Sequence, residues 1–111
     1  MQSHAQVATD HAARYMTQLA KHWSHRFEVA FDETQALIPL SLGPCQLTAR
    51  DDALDITLEA PDLASLARME DVVASHLDRF AFREGGLRYA WTRAQDAGHI
   101  DAAAVRMRAG G

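Results

Sequence analysis

Hydrophobic and polar residues alternate with period two in six short stretches, and two longer stretches repeat their apolar positions every three or four residues. Ala5 and Val7 alternate with His4 and Gln6, predicting a strand over residues 3–8. Ala12, Tyr15, Met16, Leu19 and Trp23 then line one side of a helix predicted over 10–24, with Thr9 or Asp10 as its cap. Four alternating stretches follow: Phe27-Val29-Phe31, Ala36-Ile38-Leu40-Leu42, Cys45-Leu47-Ala49 and Leu54-Ile56-Leu58. Turn residues separate them at Asp32-Glu33, Gly43-Pro44 and Asp51-Asp52, and links this short predict antiparallel hairpins. Pro39 cannot donate to a ladder, which puts its strand at an edge or a bulge.

A second helix is predicted from Pro61 and Asp62 to residue 83, with Leu66, Met69, Val73, Leu77 and Phe80 as its apolar side and Gly85-Gly86 as its stop. Leu87, Tyr89 and Trp91 alternate with Arg88 and Ala90, giving a last strand over 87–91. The order is β-α-β-β-β-β-α-β. It predicts an α+β fold in which a curved antiparallel sheet carries two helices on one face. Its first seven elements resemble the repeat unit of TATA-binding-protein-like folds, a likeness of topology that carries no function. Residues 1–93 read as a single domain. Residues 94–111, rich in Ala, Gly and Arg, read as a flexible tail with one helical turn near 100–108.

A chain of 111 residues with 48% apolar and 23% charged residues is ordinary globular composition for one domain. The net charge of −4 opposes binding to nucleic-acid phosphates and to an anionic membrane surface, so neither is expected as a partner. Cys45 is the only cysteine, which fits a reducing compartment. The first ten residues lack a basic segment followed by an apolar run, and no stretch approaches the roughly 20 apolar residues of a membrane helix. A cytoplasmic location is expected.

The candidate chemistry lies in six histidines. At 100° per residue from Leu19, His11, His22 and His25 fall at about −80°, −60° and −120°, on one flank of the first helix. From Met69, His76 falls at about −20°, which predicts a well-buried ring. The helices end in similar phrases, His22-Trp23-Ser24-His25-Arg26-Phe27 and His76-Leu77-Asp78-Arg79-Phe80. If their C-terminal ends meet, His22, His25 and His76 form a three-nitrogen set suited to zinc or iron, with Glu70 or Glu84 as an added carboxylate. The competing reading makes His76 a hydrogen-bonded core residue and the other two polar residues at a helix end.

Other constellations are weaker. Asp51, Asp52 and Asp55 lack the glycine and glutamate offsets of a calcium loop. Cys45 has no histidine beside it in sequence, Glu70-Asp71 reads as a solvated helix face, and the aromatic residues read as core. No phosphate-binding glycine motif or nucleophile elbow is present.

Three phrases resemble a known family: Ala13-Arg14-Tyr15-Met16-Thr17-Gln18-Leu19, Lys21-His22-Trp23-Ser24-His25-Arg26-Phe27 and His76-Leu77-Asp78-Arg79-Phe80-Ala81-Phe82-Arg83-Glu84. Over residues 3–93 the chain resembles the bacterial domain of unknown function 2218. The resemblance implies a small stand-alone cytoplasmic protein, or a module joined to siderophore-interacting flavin reductases, and it transfers no catalytic residue. The expected function is a non-enzymatic accessory role in iron or siderophore metabolism, binding a metal, a metal chelate or a partner reductase. The alternatives are an interaction or small-ligand module that uses the curved sheet, with Leu37 and Tyr89 outward, and a metal-dependent enzyme. A homodimer through a sheet edge or the tail is also open.

Overall fold

The computed structural model describes residues 1–94, so the predicted tail beyond Ala94 lies outside the described residues. The elements are β1 (Gln2–Ala8), α1 (Ala12–Trp23), β2 (Ala30–Phe31), β3 (Gln35–Leu40), β4 (Gly43–Ala49), β5 (Ala53–Glu59), α2 (Leu63–Phe80), a single 3₁₀ turn (Phe82–Glu84) and β6 (Thr92–Ala94). All strand pairs are antiparallel, in the order β2-β3-β4-β5-β1-β6. The α+β class, the element order and the one-sided sheet agree with the sequence reading.

Register explains the core. Directly opposed residues point to one face, so inward positions form rows across the sheet. One row runs Ile38, Cys45, Leu58, Ser3 and Arg93; the next runs Phe31, Ala36, Leu47, Ile56 and Ala5. Both helices cover this face. Tyr15, Met16, Leu19 and Trp23 of α1 and Leu66, Met69, Val73 and Leu77 of α2 are buried against it. The opposite face presents His4, Gln6 and Gln46, with Leu37 as its exposed apolar residue.

Turn chemistry sets the connections. The Asp32 carboxylate accepts from the backbone N–H of Thr34 at 2.8 Å and of Gln35 at 2.9 Å, closing the β2–β3 turn. Pro39 sits where β2 no longer covers β3, because β2 reaches only Ala36 and Leu37. It faces Pro44 across the β3–β4 pair, so the missing donors fall at the exposed end of that hairpin. Gly43 opens β4 rather than ending a turn. A Cβ there would lie 1.9 Å from the backbone oxygen of Glu59, so only glycine lets the hairpin close against the end of β5.

Three expectations are corrected. The last strand is Thr92–Ala94, not residues 87–91, because Leu87, Tyr89 and Trp91 pack partly buried against the core without joining the ladder. Tyr89 therefore does not stand on the open sheet face. Its ring stacks on Trp91 at 5.9 Å, and its hydroxyl donates to Asp78 Oδ1 at 3.0 Å. α1 starts at Ala12 with His11 as its cap residue, and no side chain caps it. Thr9 instead accepts from the His11 N–H through its hydroxyl oxygen, at 3.1 Å. α2 is capped by Asp62, whose carboxylate accepts from the Ser65 N–H at 2.7 Å.

The third correction concerns Glu70, read from sequence as part of a solvated face. Its residue is 5% exposed. Ser3 Oγ donates to Oε2 at 2.6 Å, while Arg93 donates from Nε to Oε2 at 2.9 Å and from a terminal nitrogen to Oε1 at 2.6 Å. These contacts tie α2 to β1 and to β6 at the sheet edge. The Arg93 hydrogen bonds are the main cause that holds the Glu70 carboxyl below its ordinary value; the Ser3 bond adds to this and desolvation opposes it.

Two stability predictions follow from these contacts. Gly43→Ala should lower stability by about 2–3 kcal/mol, because the new methyl meets backbone rather than a side chain that can turn away; chemical denaturation measures it. Because the Glu70 pKa is depressed on folding, its contribution is complete above about pH 4.5 and is lost as pH falls through the folded value. Arg93→Ala should therefore flatten the loss of stability on acidification below about pH 4.5, and should raise amide exchange in β6.

Candidate functional site

The end of α1, the middle of α2 and the β3–β4 turn enclose a cleft of about 500 Å³. α1 and the turn after it contribute His22, Trp23, Arg26 and Phe27. The hairpin contributes Leu40, Ser41 and Leu42, and α2 contributes Arg68, Met69, Val72 and His76. The wall is rich in rings and aliphatic side chains, and two guanidinium groups and two imidazoles share its lining. Among the described residues no aspartate or glutamate lines it.

Local sequence explains how each element delivers its groups. On α2, Arg68, Val72 and His76 are four apart and share a flank. From Met69, the buried stripe runs from 0° at Met69 itself to about +100° at Glu70, so His76 at about −20° lies on its margin rather than its centre. That is why His76 is half-buried instead of the well-buried residue expected from sequence. Its Nδ1 lies 2.7 Å from the Val72 carbonyl oxygen, which can only accept. Nδ1 therefore carries the proton, and in the neutral ring Nε2 keeps a free lone pair.

α1 stops at Trp23 without a glycine. Ser24 N–H still donates to the Ala20 carbonyl at 2.9 Å, but Arg26 and Phe27 both donate to Trp23, and the chain turns. Trp23 and Phe27 go inward, while His25 leaves the helical track and is exposed. A projection that carried the helix through residue 25 placed that ring with its neighbours, and the early stop separates it from them.

The outcome for the three histidines is specific. The ring centres of His22 and His76 lie 5.0 Å apart, and His76 lies 4.8 Å from Trp23. His25 is absent from the cleft lining. Among the described residues no group of three or more His, Cys, Asp or Glu side chains is arranged to hold a metal ion. The two carboxylates weighed as added ligands are engaged elsewhere. Glu70 binds Ser3 and Arg93, and Glu84 accepts from Thr9 at 3.0 Å and from the Tyr15 hydroxyl. Cys45 is buried, and desolvation pushes its thiol up to about 12, so it is no ready thiolate.

Electrostatics distinguish His22. Its pKa is lowered, first by partial desolvation and then by His76, Arg79 and His25, all of which disfavour a second positive charge. The sequence reading missed Arg26, Arg68 and the hairpin residues Leu40 and Leu42. The four-residue spacing of Arg68, Val72 and His76 was the available signal on α2; nothing in sequence announced that the hairpin turn would close the cleft.

Fold and cleft together define a small α+β protein with a one-sided sheet and an amphipathic cleft between its helices. The chain belongs to the family described as "Uncharacterized protein conserved in bacteria (DUF2218)", which matches residues 4–92. It is similar to PA4090 from Pseudomonas aeruginosa, known from an NMR structure: the two are 41% identical and superpose with a TM-score of 0.72, over 86% of this chain and 98% of that one. No curated protein matches it. No helix among the described residues is long and apolar enough to cross a membrane.

In an NMR titration, the His22 ring should show a midpoint below the ordinary histidine value of about 6.5. His76→Gln should move that midpoint upward, since it removes one of the groups that resist its protonation.

Proposed function

We propose that this protein is a non-catalytic binding protein, and that the cleft between α1, α2 and the β3–β4 turn holds a small, partly apolar anion. The carrying observation is the lining itself. Arg26, Arg68, His22 and His76 bring positive or donor nitrogens to a wall of Trp23, Phe27, Leu40, Met69 and Val72, with no carboxylate opposing them among the described residues. Ligand sites are characteristically apolar hollows with a few convergent polar groups, and a volume of about 500 Å³ suits a molecule of modest size.

The iron and siderophore association implied by the family resemblance fits this reading in one form, an iron chelate. A bare ion would meet two imidazoles and two guanidinium groups. A chelate brings most of its own ligands and can carry negative charge, which suits the arginines. A siderophore-interacting flavin reductase is the partner that this reading supplies.

The test uses 2,3-dihydroxybenzoate, an aromatic anion that also forms iron complexes, read by Trp23 fluorescence in a Trp91→Phe background. Arg68→Glu should weaken binding at least tenfold, about 1.4 kcal/mol, while Arg14→Glu, on an exposed face of α1, should leave it unchanged. Equal binding in the Arg68 variant and the parent, or no binding to the parent, would refute the reading.

A further inference from the structure

We propose that His22 and His76 form a two-nitrogen anchor that completes the coordination of a late first-row divalent metal carried into the cleft by a small, net-negative chelator. The inference rests on the cleft being the ligand site, and adds the atoms that recognise the ligand.

Each ligating nitrogen lies roughly 2.1 Å from its ion and about 1.1 Å from its own ring centre. Two imidazoles on adjacent positions of one ion therefore have centres about 4.5 Å apart at a right angle and about 5.2 Å at a tetrahedral angle. The observed separation of 5.0 Å lies between these values. The rings are tilted by 53° to one another, so they are not stacked.

The bond from His76 Nδ1 to the Val72 carbonyl leaves Nε2 as the nitrogen with a lone pair and fixes the ring about its bond to the helix. A backbone carbonyl on the far nitrogen is a recurrent second contact of metal-binding histidines, because it orients the ring and raises its basicity.

Charge selects a chelate over a free ion. Two imidazole nitrogens, with no carboxylate among the described lining residues, leave a dication uncompensated beside Arg26 and Arg68. A chelator with several carboxylate or phenolate oxygens reverses the sign of what the arginines meet. On binding, two waters leave the metal and two imidazole nitrogens replace them; no electron is transferred and no proton need move. His25, exposed and outside the cleft, takes no part.

Nickel(II) nitrilotriacetate is the test probe. It is net-negative and keeps two adjacent exchangeable positions, whereas nickel(II) ethylenediaminetetraacetate is net-negative with its positions filled. With full-length, tag-free protein, calorimetry should show one binding event for the nitrilotriacetate complex and at least tenfold weaker binding of the filled complex. His22→Gln and His76→Gln should each weaken binding at least tenfold, and His25→Gln should leave it within twofold. Paramagnetic broadening should centre on Trp23, Val72 and His76. Two results overturn the anchor: binding that survives in both glutamine variants, or absence of nickel binding by a parent that still binds 2,3-dihydroxybenzoate. The second outcome leaves the anion cleft standing, while loss of both ligands removes the cleft reading as well. Circular dichroism of each variant separates lost binding from lost folding.

Discussion

The buried carboxylate of Glu70 controls the roll of α2, and the candidate site depends on that roll. A charge placed under a helix needs partners, and Ser3 and Arg93 supply them from the same inward row of the sheet. With Glu70 turned under, the buried stripe spans Leu66, Met69, Glu70, Val73 and Leu77. The flank carrying Arg68, Val72 and His76 is then left at the mouth of the cleft. Centring the helix on its apolar residues alone would bring His76 further inward and move Arg68 nearer the core.

The second constraint is the stop of α1. An ordinary glycine stop would carry the chain away in a left-handed turn; here Arg26 and Phe27 both donate to the Trp23 carbonyl, and no residue of the turn is left-handed. That places Phe27 and Arg26 in the wall and leaves His25 outside. The third side is the two-residue turn at Ser41 and Leu42, held against the end of β5 by the close approach at Gly43. Three elements distant in sequence thus enclose one cleft, each positioned by a local backbone feature.

Polar clusters elsewhere fasten the fold. Tyr15 and Thr9 meet Glu84, joining the start of α1 to the turn after α2, while Asp78 receives the Leu87 N–H and the Tyr89 hydroxyl. The segment between α2 and β6 is therefore held by side chains rather than by a ladder. This explains why an alternating stretch at 87–91 is not a strand: its period-two pattern reflects Leu87, Tyr89 and Trp91 packing on the core one after another. Period two shows which side chains face inward and does not say whether a neighbouring strand is present to pair with them.

Sequence by itself determined the class of fold, both helices and the five strands from β1 to β5, because each follows from local periodicity or from a residue's own backbone chemistry. It also singled out His22 and His76. What only the tertiary structure decided is which polar residues are buried and which rings meet. Glu70 looks like any surface glutamate until Arg93, 23 residues away, reaches it. His25 looks like a partner of His22 until the helix ends at Trp23, and His76 looks buried until the roll of α2 is known. Those outcomes depend on contacts between elements far apart in the chain, and a helical wheel or a strand pattern contains only the contacts within one element.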